Sequence, residues 1–302
     1  MNPEIIVSVL CICYNQEKYI RDALEGFVNQ KTNFNYEVII SDDASADNTQ
    51  NIIKEYQMNY PNIIKPIYRK ENIGANSNFM DSYNKCKGKY VAICDGDDYW
   101  TDQKKLQKQI DFLEKNQDFA MSSHAVKTIY LDVEEKYPFV EPLEIAGFEE
   151  IIRHGLFIPS LSIVISRKAL PKLPIWFEKL WSSHMPIILL STVNGKNYYF
   201  KEIMGLKRKN PKSISQLPER KTRRYKEYLI SNKTYFLKKL NKYSNYRYNK
   251  IIKKIIAENH IKLMYISWKR RNVFNIFINL YKSFFYDPSQ LIEKGRNIKK
   301  YL

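Results

Sequence analysis

Three carboxylates crowd one short stretch of this 302-residue chain: Asp95, Asp97 and Asp98 in KYVAICDGDDYW, residues 89–100. The apolar run from Tyr90 to Cys94 reads as a buried strand that empties into the acids and then into Tyr99 and Trp100. Acids at the end of a buried strand sit at the edge of a sheet, past its covering helices, where a ligand reaches them. Like charges this close repel and call for something that neutralises them. A divalent metal backed by a phosphate fits, because hard cations take oxygen ligands and share them between one or two carboxylates and substrate phosphates. The competing reading is a solvated acidic turn.

The elements that must position these acids follow from periodicity. Ile5 to Ile12 is a continuous apolar run suited to a strand covered on both faces, with Tyr14 and Asn15 as its turn. Helical spacing marks Gln16 to Gln30, a second strand covers Tyr36 to Ile40, and Ser45 or Asp47 caps a helix running to Asn59 before Pro61. A third strand over Ile63 to Tyr68, a turn at Asn72 to Gly74 and a helix from Asn76 to Cys86 lead to the acidic strand. Alternation of strand and helix predicts an α/β fold with a parallel sheet covered on both faces. Ligands of such sheets bind at the carboxyl ends of the strands. There Tyr14 and Asn15, Asp42 and Asp43, and Asp95 to Asp98 converge, which weighs against a solvated turn. Neither GxGxxG nor GxxxxGK[ST] occurs, so no dinucleotide fingerprint or phosphate loop is present.

Charge is unevenly spread. Residues 207–302 hold 26 Lys and Arg against 5 Asp and Glu, a surplus of 21, which leaves residues 1–206 at −4 within the chain's +17. A mildly acidic front argues against a nucleic-acid binder, and no nucleic-acid motif is evident. Four cysteines without CxxC or His-bearing spacing make neither a disulfide scaffold nor a metal knuckle, and a reducing cytoplasm is expected. The start MNPEIIVSVL lacks the marks of a signal peptide, and no run of about 18 apolar residues exists, so neither secretion by the standard route nor a membrane span is expected.

Four stretches in order, VSVLCICYNQEKYI, EVIISDDASADNT, KENIGANSNF and GKYVAICDGDDYWTDQKKLQKQIDFL, resemble the nucleotide-sugar domain of family 2 glycosyltransferases with the GT-A fold, over Val7 to about Phe119 and more weakly to about Ser215. The resemblance implies a Rossmann-like, mostly parallel sheet flanked by helices over residues 1–215, with a nucleotide-sugar half (1–119) and an acceptor half (120–215), followed by a basic helical region (216–302). It implies a UDP-sugar donor, Mn2+ or Mg2+, a saccharide or lipid-linked saccharide acceptor, and transfer with inversion in capsule, lipooligosaccharide or exopolysaccharide synthesis. Position by position, Tyr14 lines the nucleotide base with Glu17 near it. Asp43 accepts the uracil imide proton while Asp42 caps a turn, and Asn78 faces diphosphate or ribose. Asp95 is the first acid of DxD, on ribose or metal-bound water, and Asp97 is the direct metal ligand. Asp98 is left as a capping or supporting group, and Tyr99 and Trp100 as core and wall.

Two departures from the family pattern stand out. Where the family carries an Asp as general base, PIWFEKLWSSHMPIILL puts His184. An imidazole of ordinary pKa, about 6.5 against about 3.9 for Asp, is a competent base at neutral pH. The other readings are an acceptor-binding His with the base elsewhere, Glu178 being the nearest acid, or a silent UDP-sugar-binding partner subunit of a glycosyltransferase complex. A His that family members often carry in an R-x-H-x-x-S-I-S type loop is replaced by Asn210, within Arg208 to Ser215. Lys207, Arg208, Lys209 and Lys212 either pair with the diphosphate or begin the basic surface. His124 and His154 are read as packing or surface groups.

Beyond Ser215, one helical stripe runs through Ile251, Ile252, Ile255, Ile256, Leu263 and Ile266, and another through Val273, Phe274, Phe277, Leu280, Tyr281, Phe284 and Phe285. Both either pack inward or rest on an anionic membrane surface, the place of basic amphipathic helices, which puts the protein at the inner face of the plasma membrane. A homo-oligomer is left open.

Overall fold

A central parallel ladder carries the site. In the computed structural model, which describes residues 4–130, 133–135, 143–154, 158–209 and 222–295, the strands β1 (Ile5–Cys13), β2 (Asn35–Asp42), β3 (Ile64–Tyr68) and β4 (Tyr90–Ile93) line up in the order β3-β2-β1-β4. All three pairings among them are parallel. Val7, Val9, Leu10 and Cys11 of β1 are all buried, which explains why this strand is apolar throughout rather than alternating. Helices α1 (Ile20–Val28), α2 (Thr49–Asn59) and α3 (Ala75–Lys85) make the crossovers.

Residues 16–19, expected inside the first helix, form a turn instead. Their backbone is held by the loop after β2: Gln16 N donates to Thr49 Oγ1 at 2.8 Å and Glu17 N to Asp47 Oδ2 at 3.0 Å. Helix α2 begins after Asn48, and Asp47 contributes by accepting from Thr49 N at 3.0 Å.

Past β4 come β5 (Tyr99–Trp100), α4 (Lys105–Lys115), β6 (Phe119–Tyr130), β7 (Val133–Glu135), β8 (Ile145–Ala146), α5 (Phe148–His154), β9 (Val164–Ser166), α6 (His184–Thr192) and β10 (Lys196–Lys209). The sheet continues β4-β9-β6-β10-β5, with β7 on β6 and β8 on β10. β9 runs antiparallel to β4 and β6, and β10 runs parallel to β6 but antiparallel to β5. The sheet is therefore parallel in its first half and mixed in its second. The strand expected over Leu161 to Ile165 is shortened by a tight turn at Ser160–Ser162. Both the amide (3.0 Å) and the hydroxyl (2.7 Å) of Ser162 donate back to the Pro159 carbonyl, which closes that turn.

Trp100 anchors the seam. Its indole donates to the Leu161 carbonyl at 2.8 Å and its ring meets Phe27 edge-on at 4.9 Å. His124 is buried on β6, with Nδ1 bonded to the Ala125 carbonyl at 2.8 Å, and burial pushes its ring down to about 3. All four cysteines are buried and free.

The chain divides into two compact units, Met1–Asn210 and Pro211–Leu302. The second is helical: α7 (Arg223–Tyr243), α8 (Asn249–Lys269), α9 (Val273–Tyr286) and α10 (Ser289–Gly295). Ile251, Ile252, Ile256 and Leu263 of α8 are buried, as are Phe236, Leu237 and Leu240 of α7, so the upstream stripe packs inward. The α9 stripe does not. Among the described residues no helix is long and apolar enough to cross a membrane.

Candidate active site

Two loops at the carboxyl ends of β1 and β2 are stitched together. Asn15 N donates to Ser45 Oγ at 2.8 Å, Ala46 N to Asn15 Oδ1 at 2.8 Å, and Asn48 N to Glu17 Oε2 at 3.0 Å. Asn15 (φ 52°) and Ala44 (φ 62°) adopt the left-handed conformation that side chains disfavour, and the stitching holds them in it. Tyr14 is exposed at the tip of the first loop. Asp42 is buried and turns the second, accepting from Ser45 N at 3.0 Å and Gln50 Nε2 at 2.7 Å. Asp43 reaches the other way: its two oxygens accept from Ile73 N (2.9 Å) and Gly74 N (3.0 Å), fixing the turn into α3. Asn78 is buried behind these loops, its amide engaged by Ser41 Oγ at 2.6 Å, Arg69 Nε at 3.1 Å and the Ser41 carbonyl at 3.2 Å.

The acids follow β4. Gly96 between them is closely packed: a Cβ there would lie 2.3 Å from Gln16 Oε1 and 2.7 Å from Ile20 Cδ1, both ends of side chains that can turn aside. Asp98 is buried, accepts from Arg208 N at 2.8 Å, and has Lys207 Nζ 3.8 Å from its Oδ2. Burial, resisted by Lys207 but aided by the other two acids, pushes its carboxyl up to about 8. Asp97 is pushed up to about 6 by burial and by the Asp95 charge. Asp95, also raised by burial, accepts from Ser160 Oγ at 3.0 Å. β10 supplies both cations. Arg208 reaches Asp22 Oδ2 at 2.5 Å and the Asp97 carbonyl at 3.4 Å, with its guanidinium 4.6 Å from the Tyr99 ring centre.

His184 opens α6 with its Nε2 bonded to the Ile158 carbonyl. Donating there requires the proton on Nε2, which leaves the lone pair on Nδ1. Burial first, and the Lys207 charge second, lower the ring to about 4, so the advantage over Asp expected from an ordinary imidazole is absent in the ligand-free protein. Asn210, Lys212 and Ser213 to Ser215 lie outside the described residues.

Residues 8–157 match the sequence profile of "Glycosyl transferase family 2". The chain belongs to that family through this segment. A UDP-Glc:α-D-GlcNAc-diphosphoundecaprenol β-1,3-glucosyltransferase of Escherichia coli is 35% identical over 114 residues, 38% of this chain and 43% of that protein. An uncharacterized protein of Mycobacterium bovis is 49% identical over 126 residues, 42% of this chain and 36% of its own length. The chain spans between 36% and 63% of the length of the first curated relatives it matches. Staphylococcus aureus TarS in complex with UDP-GlcNAc shares the fold at a TM-score of 0.60, with 14% identity over 92% of this chain and 91% of that one. A Pyrobaculum calidifontis mannosyltransferase in complex with GDP-Man and Mn2+ does so at 0.54, with 12% identity over 99% of this chain and 83% of that one.

Within this family 2 domain, the donor set fits a divalent cation that the protein holds only in part. Asp98 is buried and Asp95 and Asp97 are half-buried, and these three neighbouring acids have raised pKa values, the mark of a site short of positive charge. Among the described residues no group of three or more His, Cys, Asp or Glu is arranged to enclose a metal. Asp97 with Asp95 would hold one whose remaining ligands come from substrate phosphates and water. Two contacts had no signal in the sequence, although Lys207 itself reads there as a partner of the diphosphate or the start of a basic surface. Ser160 meets Asp95 across 65 positions, and the role of Lys207 as counter-charge to all three acids depends on β10 lying next to β5.

Proposed function

We propose that the first unit transfers a sugar from a UDP-sugar to a hydroxyl of a saccharide or lipid-linked saccharide, with inversion and with Mn2+ or Mg2+, in synthesis of a bacterial capsule, lipooligosaccharide or exopolysaccharide. The observation that carries this reading is the acid cluster with Lys207 and Arg208 at the carboxyl end of β4, beside the central strand of a family 2 domain. The E. coli relative, whose name gives UDP-Glc as donor and a diphosphoundecaprenol-linked sugar as acceptor, supports it. So does TarS, a fold neighbour bound to UDP-GlcNAc.

In this mechanism Tyr14 and Glu17 flank the base. Asp43 is oriented by its two backbone bonds, and each oxygen keeps a second lone pair for the uracil imide N–H. Asp97 and Asp95 would hold the metal, which would supply positive charge against the departing diphosphate. Lys207 and Arg208 add cationic donors at the same end, acting in a site where water no longer screens them. His184 Nδ1 takes the proton of the acceptor hydroxyl as its oxygen bonds the anomeric carbon and the bond from that carbon to the diphosphate oxygen breaks. Asn78 supports the diphosphate end through the loops it ties.

The partners proposed are the UDP-sugar, the saccharide acceptor and, for the basic second unit, an anionic membrane surface on its cytoplasmic side. One observation favours a second reading, a silent UDP-sugar-binding subunit: the His184 ring is bonded to Ile158 and held to about 4. UDP release from a panel of UDP-sugars, with and without Mn2+, separates them. Metal-dependent release that Asp97→Asn abolishes supports transfer. UDP binding without release from any donor, with saccharide acceptors present, supports the silent subunit.

A further inference from the structure

Helix α9 is amphipathic with the usual arrangement reversed. Phe274, Phe277, Leu280, Tyr281, Phe284 and Phe285 share one face by their three- and four-residue spacing, and they are between 42% and 75% exposed. Asn275, Asn279 and Ser283 turn inward. Ser283 is buried, Asn279 Oδ1 meets His260 Nδ1 at 3.0 Å, and Asn279 Nδ2 donates to the Asn275 carbonyl at 2.9 Å. Helix α8, next to it, obeys the ordinary rule and buries Ile251, Ile252, Ile256 and Ile261. A contiguous aromatic face of this size marks an interaction surface rather than scattered exposure.

The surroundings choose the partner. Trp268, Lys269, Arg270 and Arg271 are exposed immediately before the helix and Lys282 within it. Residues 222–295 carry 17 Lys and Arg against 4 Asp and Glu. A second copy brings the same positive charge to the contact, whereas an anionic lipid surface complements it. Aromatic rings with Lys and Arg at their margin are the composition of the membrane interface. With 14 residues α9 spans roughly 21 Å, too short to cross a bilayer, so it lies in the plane.

We infer that α9 enters the headgroup boundary of an anionic bilayer, aromatic face inward, with the Lys and Arg at its margin on the lipid phosphates. The inference rests on the reading that the second unit meets a membrane and names the element that does so; it is independent of the transfer chemistry.

The test is sedimentation of the full chain with phosphatidylcholine vesicles, alone and mixed with phosphatidylglycerol, for the wild type and the double variant Phe277→Ser/Phe284→Ser. Wild type is expected to bind the mixed vesicles, less so at high salt, and the double variant at least about tenfold more weakly, since each buried Phe contributes about that factor or more. Both side chains are exposed, so UDP affinity and thermal midpoint stay at wild-type values and report that the variant is folded. In a Tyr281→Trp variant, quenching by lipids brominated on their acyl chains is expected to exceed that of wild type. Absence of wild-type binding to the mixed vesicles overturns the membrane reading itself and leaves the transfer reading standing. Equal binding by wild type and double variant overturns the assignment to α9. So does a vesicle-free dimer, seen by light scattering, that the double variant dissociates.

Discussion

Lys207 Nζ lies 3.8 Å from Asp98 Oδ2 and is the ammonium whose charge restrains the pKa of all three acids after β4. Removing one member of such a pair leaves charge uncompensated in a poorly solvated place. Lys207→Met is therefore expected to destabilise the ligand-free protein by about 3 kcal/mol at pH 8. The loss shrinks as pH falls, because the acids take up protons in the folded chain through this range and then need the ammonium less, while those of the unfolded chain stay ionised down to about 4. Adding Asp98→Asn to Lys207→Met recovers most of it. Urea unfolding of the single and double variants at pH 8 and pH 5.5 measures both effects.

Asp97 and Asp98, pushed up to about 6 and about 8, give metal binding a pH dependence of definite sign. Between roughly pH 4 and pH 8 the folded protein holds protons that the unfolded chain has released, so these two groups make ligand-free stability fall as pH rises through that window. A divalent cation takes the ionised carboxylate, so binding expels protons and strengthens with pH through about 6. Titration calorimetry of Mn2+ with UDP, in buffers of different ionisation heat, is expected to show proton release at pH 6. Asp97→Asn is expected to remove both the release and the metal-dependent tightening of UDP.

Gly96→Ala tests the packing that places the acids. The added Cβ meets Gln16 Oε1 at 2.3 Å, Ile20 Cδ1 at 2.7 Å and Cys13 Cβ at 3.0 Å, so it presses on the end of β1 and the start of α1 together. Because the two nearest atoms are the ends of flexible side chains that can turn aside, this overpacking is expected to cost about 1 kcal/mol, the low end for such changes. Because the acids shift with it, UDP-sugar KM rises as well. Thermal unfolding and donor kinetics on the one variant check both effects.

The alternation of strand and helix through Cys94 was legible because each element keeps one period and each loop carries its own turn residues. The acids were legible because an apolar run ends in them. What lay beyond local pattern was lost. Nothing near Ser162 in sequence announces that its hydroxyl closes a turn on Pro159 and shortens the next strand. Lys207 reads like any basic residue in a basic stretch until β10 lies against β5. The α8 and α9 stripes have the same spacing, yet α8 buries its stripe and α9 exposes it. Periodicity defines a face and does not say what covers it. His184 shows the same limit in chemistry, since residue type sets the starting pKa and the surroundings move it.

For His184 the pH argument runs against the sequence-based expectation. An ordinary imidazole would give kcat/KM an acid limb near 6.5. Burial and Lys207 put the ring at about 4 in the free protein, so kcat/KM is expected to show no His184 limb between pH 6 and pH 8. The stability sign agrees: the folded pKa lies below the unfolded one, so the group's stabilisation is complete above about 6.5 and is lost as pH falls toward about 4. His184→Gln keeps an N–H for the Ile158 carbonyl and removes the lone pair at Nδ1. It is expected to lower kcat by roughly 10²–10⁴ with donor KM nearly unchanged. His184→Asp, which restores the carboxylate usual at this position in the family, is expected to recover part of that loss. Wild-type rates of UDP release in His184→Gln would show that the acceptor proton goes to another group.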